Sequence, residues 1–268
     1  MGKTFGLISG SGEFPVSFLE EIDKLGDRCV IAAVEGEASP TLEEKAAAFS
    51  WFRYSQIRAL VEFFQEHGVK EVYFVGKINP RQVLEPGKLD EDALNLLKGL
   101  KDWSPSSLIK TLIDYLSQRG ISVENPHKIL SSLFCPPGIL TATRPSAQVT
   151  EDISFGWSIT RSLSDLEIGQ TLIVKNKTVV AVEGMEGTDN AILRGRTLAG
   201  PGTVVIKISR TVQDMRIDLP AVGMSTIRHL VKAKSKALCF EAERMPFFQK
   251  DAAVRLADEN SICIVSKA

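Results

Sequence analysis

The sequence predicts an α/β protein with two domains, and three observations lead to this fold class. Short apolar or β-branched runs alternate with amphipathic helical patterns, as in βαβ units built around a parallel sheet. The length of 268 residues and the hydrophobic content of 44% suffice for two ordinary domains with separate cores. A proline- and threonine-rich stretch near the middle favours neither helix nor strand. We therefore expect domains at residues 1–134 and 150–268, joined by a linker at 135–149.

In the first half of the chain, strand-like runs alternate with helices. The first predicted strand, residues 4–9, stops at Gly10-Ser11-Gly12, and the helix after it has Pro15 near its first turn. The other predicted strands are 29–34, 50–53, 71–75 and 121–124, and the other predicted helices are 56–67, 90–101 and one between 104 and 120.

The second half continues the same alternation. Its first helix, 150–166, starts with Thr150-Glu151-Asp152, which is typical of an N-terminal cap. Two runs flank Asn176-Lys177 and are predicted to form a β-hairpin. The predicted strands are 171–175, 178–183, 203–208, 237–241 and 261–265, and the remaining predicted helices follow Asp189 or cover 226–234 and 251–260.

Charge and composition exclude several classes of function. The net charge of −1 gives no positive field for nucleic acid, so we expect no nucleic-acid partner. The four cysteines are far apart and three lie in apolar runs, which indicates buried thiols in a reducing compartment. The three histidines are scattered, so no zinc-ligand spacing exists. Without a signal pattern or an apolar run of roughly 18 residues, we expect a cytoplasmic protein, and contact with a membrane surface stays open.

Polar residues are concentrated after the strand at 203–208. Gln213, Asp214, Arg216 and Asp218 fall within six positions. Charged side chains are rarely buried without partners, and loops at the carboxyl ends of strands hold the ligand sites of α/β folds. The cluster is therefore either a solvated loop held by an ion pair between Arg216 and Asp218 or a ligand site.

The turn Gly10-Ser11-Gly12 lies between a strand and a helix, where backbone N–H groups and the helix N-terminus can hold a phosphate. Glu35 is a candidate to accept a ribose hydroxyl. Pro15 stands where the dinucleotide fingerprint has its third glycine. The pattern thus favours a mononucleotide over NAD, and a plain strand-to-helix turn is the alternative.

A second turn, at residues 183–189, opens another helix. Thr188 and Asp189 either cap this helix or contact a phosphate and a metal ion. Phosphate-ester chemistry needs cations and carboxylates. The candidate cations are Lys207, Arg194 and Arg216, and the candidate carboxylates are Asp189, Asp214 and Asp218. Because the sequence shows no Ser-His-Asp or Cys-His set, metal-assisted hydrolysis fits better than covalent catalysis.

Four blocks of the sequence carry a family resemblance. They are GLISGSGEFP at 6–15, GKINP at 76–80, EGTDNAILR at 186–194 and QDMRIDLPAVGMSTI at 213–227. Together, in this order and spacing, they resemble the LpxI-type UDP-2,3-diacylglucosamine pyrophosphatase family of lipid A biosynthesis over essentially the whole chain. Many relatives have a proline just before the last block. This chain has Ser209-Arg210-Thr211-Val212 there, so it departs from the family pattern in this loop.

The resemblance implies a Rossmann-like N-terminal domain with a parallel sheet, a C-terminal α/β domain, and a substrate held between the two. It implies that water cleaves the pyrophosphate of UDP-2,3-diacylglucosamine, which gives UMP and 2,3-diacylglucosamine 1-phosphate. Mg²⁺ is the implied cofactor. Family members are cytoplasmic or peripheral to the inner membrane and tend to form homodimers, so we expect the same here.

The resemblance also implies roles for individual residues. Asp218 is expected to be catalytic with Asp189 assisting, and both are expected metal ligands. The clusters of acids and cations lead to a further hypothesis, that Lys207 and Arg216 draw charge from the phosphoryl group in the transition state. The expected substrate-binding residues are Gly10, Ser11, Gly12, Gly76, Lys77, Thr188, Lys207, Gln213, Arg216 and Thr226.

Two other functions are consistent with the sequence. One is a non-catalytic protein that binds a nucleotide sugar or a lipid in the same cleft, although paired acids beside cations favour the enzyme. The other is a nicotinamide-dependent oxidoreductase, which rests on the first glycine turn. The acyl chains of the substrate need an apolar groove, and Met224, Ile227 and Leu230 either line one or anchor a helix to the sheet.

Overall fold

The structure of the protein is a computed structural model that describes residues 2–77, 89–98, 100 and 105–268. Contacts between residues divide the chain into two units. Unit 1 comprises residues 1–130 and 215–217, and unit 2 comprises 131–214 and 218–268. Both units contain helices packed on a sheet, which confirms the predicted α/β fold class. Among the described residues, no helix is both long enough and apolar enough to cross a membrane.

Unit 1 is built on a five-stranded parallel sheet in the order β3-β2-β1-β4-β5. Its strands are β1 (Thr4–Ser9), β2 (Arg28–Val34), β3 (Ala48–Phe52), β4 (Glu71–Val75) and β5 (Ser122–Val123). Its described helices are α1 (Phe14–Lys24), α2 (Ile57–Glu66), α3 (Glu91–Lys98) and α4 (Pro105–Gln118). The strand order reverses between β1 and β4, which is where doubly wound sheets usually bind ligands.

Alternate residues of the strands in unit 1 face opposite sides of the sheet. Tyr73 of β4 packs on Phe18 of α1, with ring centroids 5.1 Å apart. Its neighbours Val72 and Phe74 belong to a cluster on the other side, together with Phe64 of α2. Helices therefore cover both faces, and the ends of the strands are the places where a ligand can enter.

Unit 2 is built on a six-stranded mixed sheet in the order β6-β11-β10-β9-β7-β8. Its strands are β6 (Gly138–Ile139), β7 (Thr171–Lys175), β8 (Thr178–Val182), β9 (Val204–Lys207), β10 (Ala237–Glu241) and β11 (Cys263–Lys267). Its helices are α5 (Ala147–Asp165), α6 (Gly187–Ala199), α7 (Met224–Ala233) and α8 (Lys250–Glu259). The central strands β9, β10 and β11 are parallel, whereas β6 and β7 run antiparallel to their neighbours.

Strands β7 and β8 form the predicted hairpin. Both turn residues, Asn176 and Lys177, have φ of 52°, the left-handed conformation that a type I′ turn requires. The buried Asp152 of α5 accepts hydrogen bonds from the N–H groups of both residues, at 3.1 and 2.6 Å. The side chain of Asp152 thus holds the hairpin turn against α5.

The unit 2 sheet also has a core on each face. On β7, Leu172 belongs to the cluster with α5, whereas its neighbour Ile173 belongs to the cluster with α6, α7 and α8. Ile227 and Leu230 of α7 are fully buried in this second cluster, and Met224 is 8% exposed. These three residues anchor α7 to the sheet, so of the two predicted alternatives the anchoring role is confirmed.

The predicted linker at 135–149 contains secondary structure. Gly138–Ile139 forms β6, which pairs with β11 at the edge of the sheet. Helix α5 begins at Ala147, three residues earlier than predicted, because the Ser146 hydroxyl accepts a hydrogen bond from the Val149 N–H at 3.3 Å. The prediction that this segment forms neither helix nor strand is therefore wrong at both places.

All four cysteines are buried thiols, as the apolar runs around three of them predicted. Burial raises the pKa of the Cys29 and Cys239 thiols to about 12, so both stay protonated at neutral pH. The thiolate is the reactive form of cysteine. Neither of these two thiols is therefore expected to act as a nucleophile at neutral pH.

Candidate functional site

One edge of the unit 2 sheet carries a cluster of charged and polar side chains, which we call the polar edge. Strands β8, β9 and β10 end here and β7 begins here, since Thr171 of β7 and Phe240 of β10 both pair with Lys207 of β9. The polar edge comprises Arg161, Thr171, residues 183–189, residues 207–214, Asp218, Ser225, His229, Glu241 and Arg244. The carboxyl ends of strands are the usual place of ligand sites in α/β sheets.

Two neighbouring side chains hold Asp218 at the polar edge. Its Oδ2 atom accepts hydrogen bonds from Arg210 Nη2 and from Gln213 Nε2, each at 2.8 Å. Gln213 Nε2 also donates to the Asp218 carbonyl at 2.8 Å. The Asp218 side chain is 53% exposed, so it lies outside the core of unit 2. Because both side-chain bonds end on Oδ2, Oδ1 is left for a ligand within the described part of the chain.

A buried glutamate at the end of β10 fixes the loop that carries Arg210. Glu241 is 6% exposed. Its Oε2 accepts a hydrogen bond from the Ser209 N–H at 3.0 Å, and its Oε1 accepts one from Arg161. Arg244 donates to Ser209 Oγ at 2.8 Å and to the Arg210 carbonyl at 2.9 Å. A buried carboxylate is stable only with such partners, and here the partners also set the path of the loop.

Sequence reasoning missed Glu241, Arg161 and Arg244. Their partners are remote along the chain, since Glu241 lies 32 residues from Ser209 and 80 from Arg161. The available signal was the acidic residue at the end of the apolar run 237–240, because a carboxylate in a buried strand needs a partner.

Lys207 connects the start of α6 with the chain that leads into α7. Its Nζ atom donates to Thr188 Oγ1 at 3.3 Å and to the Ala221 carbonyl at 2.9 Å. Thr188 Oγ1 in turn donates to Glu183 Oε1 at 2.9 Å. An ammonium group and the N-termini of two helices therefore contribute positive charge to the polar edge, which suits an anionic ligand.

Asp189 joins the first turns of α6 and α7. Ser225 Oγ donates to Asp189 Oδ2 at 2.9 Å, and His229 Nδ1 lies 3.6 Å from the same oxygen. The N-cap of α6 is Glu186, which makes no side-chain capping bond. Thr188 and Asp189 lie two and three residues after it, inside the first turn of the helix. The interpretation of Thr188 and Asp189 as simple helix caps is therefore wrong.

Two buried polar atoms of the polar edge, Glu183 Oε2 and Arg210 Nε, have no hydrogen-bond partner in the described part of the chain. Buried polar atoms are nearly always paired in native proteins. Glu183 is bonded to Thr188, and Arg210 is bonded to Asp218. The two unpaired atoms thus mark two points at which a polar ligand would complete the hydrogen bonding.

The glycine turn of unit 1 has a structural explanation. The N–H groups of Gly10 and Ser11 donate to the carbonyls of Val75 and Lys77, at 2.9 and 2.8 Å, and Ser11 Oγ also donates to the Lys77 carbonyl at 3.0 Å. These bonds bridge the ends of β1 and β4. A phosphate cradle needs free N–H groups, so the bonds of Gly10 and Ser11 weaken the expectation that this turn holds a phosphate.

Close approach of the backbone accounts for two glycines of these strand ends. A Cβ on Gly10 would lie 2.3 Å from the Lys77 carbonyl oxygen, and one on Gly76 would lie 2.8 Å from the Gly10 carbonyl carbon. Gly12 has φ of 102° and open space around it. Glu35, the candidate ribose acceptor, accepts a hydrogen bond from Arg53 Nε at 2.7 Å. The close approaches at Gly10 and Gly76 are consistent with a plain strand-to-helix turn, and the assignment of these glycines to a phosphate site stays a prediction.

The structure therefore separates the predicted site residues into groups. At the polar edge it brings together Thr188, Asp189 and Lys207, and it joins Gln213 to Asp218. Thr226 is 7% exposed in the first turn of α7. Arg216 is grouped with unit 1, and residues 78–80 of the second sequence block lie outside the described residues. The assignment of these residues to substrate, and the position of the substrate between two domains, stay predictions.

A metal ion has candidate ligands at the polar edge. Asp218 Oδ1 and the carboxylate of Asp189 are oxygen donors of the type that Mg²⁺ prefers. Among the described residues, no group of three His, Cys, Asp or Glu side chains is arranged to hold a metal. Mg²⁺ sites in phosphate-processing proteins commonly use one or two carboxylates and take their other ligands from phosphate and water. The chemistry of these two carboxylates suits such a site, and their assignment as ligands of one Mg²⁺ ion stays a prediction.

Comparison with protein families covers nearly the whole chain. Residues 4–133 match the LpxI N-terminal domain, and residues 136–265 match the LpxI C-terminal domain. A relative from Caulobacter vibrioides, named UDP-2,3-diacylglucosamine pyrophosphatase LpxI, is 24% identical over 275 residues. That alignment covers 98% of this chain and 97% of the relative.

Solved structures resemble the chain only weakly. A biotin carboxylase from Campylobacter jejuni is 13% identical over 74% of this chain, with a TM-score of 0.28. An N5-carboxyaminoimidazole synthetase from Staphylococcus aureus, complexed with ADP, is 12% identical over 70% of this chain, with a TM-score of 0.29. The alignments cover 42% and 40% of those proteins, less than half of each. Such low TM-scores support no conclusion about fold or ligand.

Proposed function

The chain belongs to the LpxI family, and on this premise we propose that it hydrolyses the diphosphate of UDP-2,3-diacylglucosamine in lipid A biosynthesis. The products are UMP and 2,3-diacylglucosamine 1-phosphate. The relative from Caulobacter vibrioides is named for this activity. The observation that carries the proposal is the exposed Asp218, whose Oδ2 is held by Arg210 and Gln213 while Oδ1 is left for a ligand.

Asp218 orients the attacking water in the proposed reaction. The oxygen of water forms a bond to one phosphorus of the diphosphate, and the bond from that phosphorus to the bridging oxygen breaks. The bridging oxygen leaves with the other phosphate, and the proton of the water passes through Asp218 to the solvent. Arg210 and Gln213 keep the carboxylate in one orientation. Positioned proton acceptors of this kind contribute about 10²- to 10⁴-fold to a rate.

Positive groups at the polar edge stabilise the charge of the transition state. Negative charge builds up on the phosphoryl oxygens and on the leaving phosphate, and preorganised donors lower its energy. Lys207 supplies an ammonium group that is already held by Thr188 and Ala221. The first turns of α6 and α7 add partial positive charge. Arg216 is grouped with unit 1 and is not part of the polar edge, so its action at the same step stays a prediction.

Mg²⁺ belongs to the proposal as well. Asp218 and Asp189 are the carboxylates that would hold the ion, with phosphate oxygens and water as its other ligands. When bound, Mg²⁺ would neutralise part of the charge of the diphosphate. Asp189 is kept in place for this role by the hydrogen bond from Ser225 Oγ.

Incubation of the purified protein with UDP-2,3-diacylglucosamine tests the function. Parallel reactions contain Mg²⁺ alone or Mg²⁺ with excess EDTA, and UMP is measured by anion-exchange chromatography. We expect UMP only where free Mg²⁺ is present. Thermal stabilisation by the substrate without any UMP would identify a binding protein instead. Stabilisation by NADH but not by UDP-sugars would favour the oxidoreductase.

Two further properties are part of the proposal. A homodimer is expected from the family resemblance. Peripheral contact of a cytoplasmic protein with the inner membrane is supported by the two acyl chains of the proposed substrate, since such a lipid resides in a bilayer. Sedimentation of the protein alone and with lipid vesicles measures both: a monomer or an absence of vesicle binding would contradict the corresponding property.

A further inference from the structure

Unit 1 contains an apolar pocket that the proposed mechanism does not use. Its volume is about 120 Å³, and it opens partway to solvent. All of its lining residues are aliphatic or phenylalanine except Arg53, Tyr54 and Thr111. The Arg53 guanidinium is paired with Glu35, with Nε and Oε2 2.7 Å apart. The pocket therefore offers a ligand mainly hydrocarbon contacts.

The pocket lies at the ends of parallel strands. Ile8, Val34, Phe52 and Phe74 line it, and each is the last or next-to-last residue of its strand. Doubly wound sheets bind their ligands outside the carboxyl ends of such strands. In nucleotide-binding proteins this place takes phosphate or ribose, but these four side chains can bind neither. The position is typical of a ligand site, and the lining indicates an apolar ligand.

Helices α3 and α4 also line the pocket. Ala93, Leu96 and Leu97 come from α3, and Leu108 and Leu112 come from α4. Ala93 is 4% exposed and has the shortest of these side chains. Protein interiors are normally packed without voids of this size, because an empty apolar cavity is destabilising. A ligand that fills the pocket would remove this cost.

The size of the pocket suits a short stretch of hydrocarbon. An apolar cavity of about 150 Å³ in another protein takes up benzene. A volume of about 120 Å³ is therefore enough for a stretch of roughly five or six carbon atoms. Of the parts of the proposed substrate, the acyl chains match this chemistry, whereas the sugar, uracil and phosphates need polar partners.

We infer that this pocket holds part of one acyl chain of the substrate and thereby sets the preference for chain length. The inference rests on the proposed function, from which it takes the substrate.

A chain-length series with a pocket-filling variant tests the inference. With UDP-2,3-diacylglucosamine analogues of increasing acyl length, KM of the wild type falls roughly fourfold per methylene until the pocket is full. Ala93→Met adds three side-chain heavy atoms to the pocket wall. In this variant KM should stop falling at an acyl chain about three methylenes shorter than in the wild type, with kcat unchanged. Asn95→Met lies on the exposed side of the same helix and keeps the wild-type profile.

Several outcomes separate this inference from the proposed function. An unchanged KM profile in folded Ala93→Met overturns the inference. If that variant does not fold, the smaller Ala93→Val replaces it, with a smaller shift of the profile. If the wild type releases no UMP from any analogue, the proposed function fails, and thermal stabilisation by sodium myristate tests the pocket alone. Stabilisation of wild type and Asn95→Met but not of Ala93→Met supports a hydrocarbon site, and an equal response of all three overturns it.

Discussion

Four parallel strands of unit 1 have an apolar residue at their last or next-to-last position: Ile8, Val34, Phe52 and Phe74. In unit 2, β9 and β10 end in the charged residues Lys207 and Glu241. Both sets lie at the carboxyl ends of strands, where α/β sheets bind ligands. In unit 1 the result is an apolar pocket, and in unit 2 it is a charged edge. Similar backbones thus support different chemistry, and the last one or two side chains of each strand decide which.

The two units also use charged residues differently. In unit 1, Asp92 of α3 accepts hydrogen bonds from Arg58 of α2 at 2.9 Å and from Tyr115 of α4 at 2.7 Å, and so joins three helices. In unit 2, Glu241 and its partners fix the loop that presents Asp218. Function in an α/β protein is therefore assigned from the side chains at a site rather than from the fold.

Replacing the proposed catalytic acid should have the largest effect. Asp218→Asn keeps the shape of the side chain but removes the charge that we propose orients water and holds Mg²⁺. We expect turnover to fall by about 10³-fold with the fold intact. Steady-state release of UMP measures the rate, and circular dichroism checks the fold.

Glu167→Gln is the matched control for Asp218→Asn. The carboxylate of Glu167 binds Arg210 Nη1 at 2.9 Å, so it shares the same guanidinium with Asp218. Its side chain is 72% exposed, and we assign it no part in the reaction. Turnover within a few-fold of wild type is expected. Equal losses in both variants would mean that the charge on Arg210, rather than Asp218, carries the effect.

Breaking the buried support of the loop should mainly affect stability. Glu241→Ala removes the acceptor of Arg161 Nη2 and of the Ser209 N–H, and we expect a loss of about 2 to 3 kcal/mol in the free energy of unfolding. Urea denaturation measures it. Glu151→Ala removes the exposed pair with Lys177, both 57% exposed, and should change the midpoint little. Equal midpoints for the two variants would contradict a structural role of Glu241.

The smallest predicted effect is confined to acid conditions and to unit 1. Hydrogen bonds from Arg58 and then from Tyr115 lower the pKa of Asp92 to about 2. Because this is below the value of about 3.9 in an unfolded chain, the ionised Asp92 stabilises the folded state above about pH 4, and this contribution is lost as the pH falls towards 2. Asp92→Asn should therefore show a smaller fall in melting temperature between pH 5 and pH 2.

Glu91→Gln serves as the control for Asp92→Asn. Glu91 also contacts Arg58, at 3.0 Å, but its side chain is 74% exposed. This variant should keep the wild-type dependence of melting temperature on pH. If Asp92→Asn keeps it as well, the hydrogen bonds of Asp92 do not contribute to acid stability.

Local patterns explain which parts of the fold were predictable. The hairpin at Asn176-Lys177 and the alternation of strands and helices are encoded in neighbouring residues. Strand β6 was missed because Gly138–Ile139 has no strand pattern of its own and is ordered by pairing with β11, far along the chain. The start of α5 was misplaced because Thr150 resembles a cap, whereas Ser146 makes the capping bond.

The same distinction applies to the candidate site. Gln213 and Asp218 lie five positions apart, so their cluster was visible in the sequence, and the structure joins them. Glu241 meets Arg161 across 80 residues, and that pair has no local signal. The pocket of unit 1 was missed for a related reason, because its leucines read as ordinary apolar faces of helices until the helices are packed on the strand ends.

Hydrolysis in water enriched in ¹⁸O tests the central claim, that the residues of the polar edge direct water to the diphosphate. Wild-type protein with UDP-2,3-diacylglucosamine and Mg²⁺ should transfer one ¹⁸O atom into the phosphate of either UMP or the sugar 1-phosphate, as measured by mass spectrometry. Asp218→Asn, purified in the same way, should show this incorporation at a rate lower by about 10³-fold. Unlabelled substrate recovered intact from the wild type, or equal incorporation by both proteins, would contradict the account.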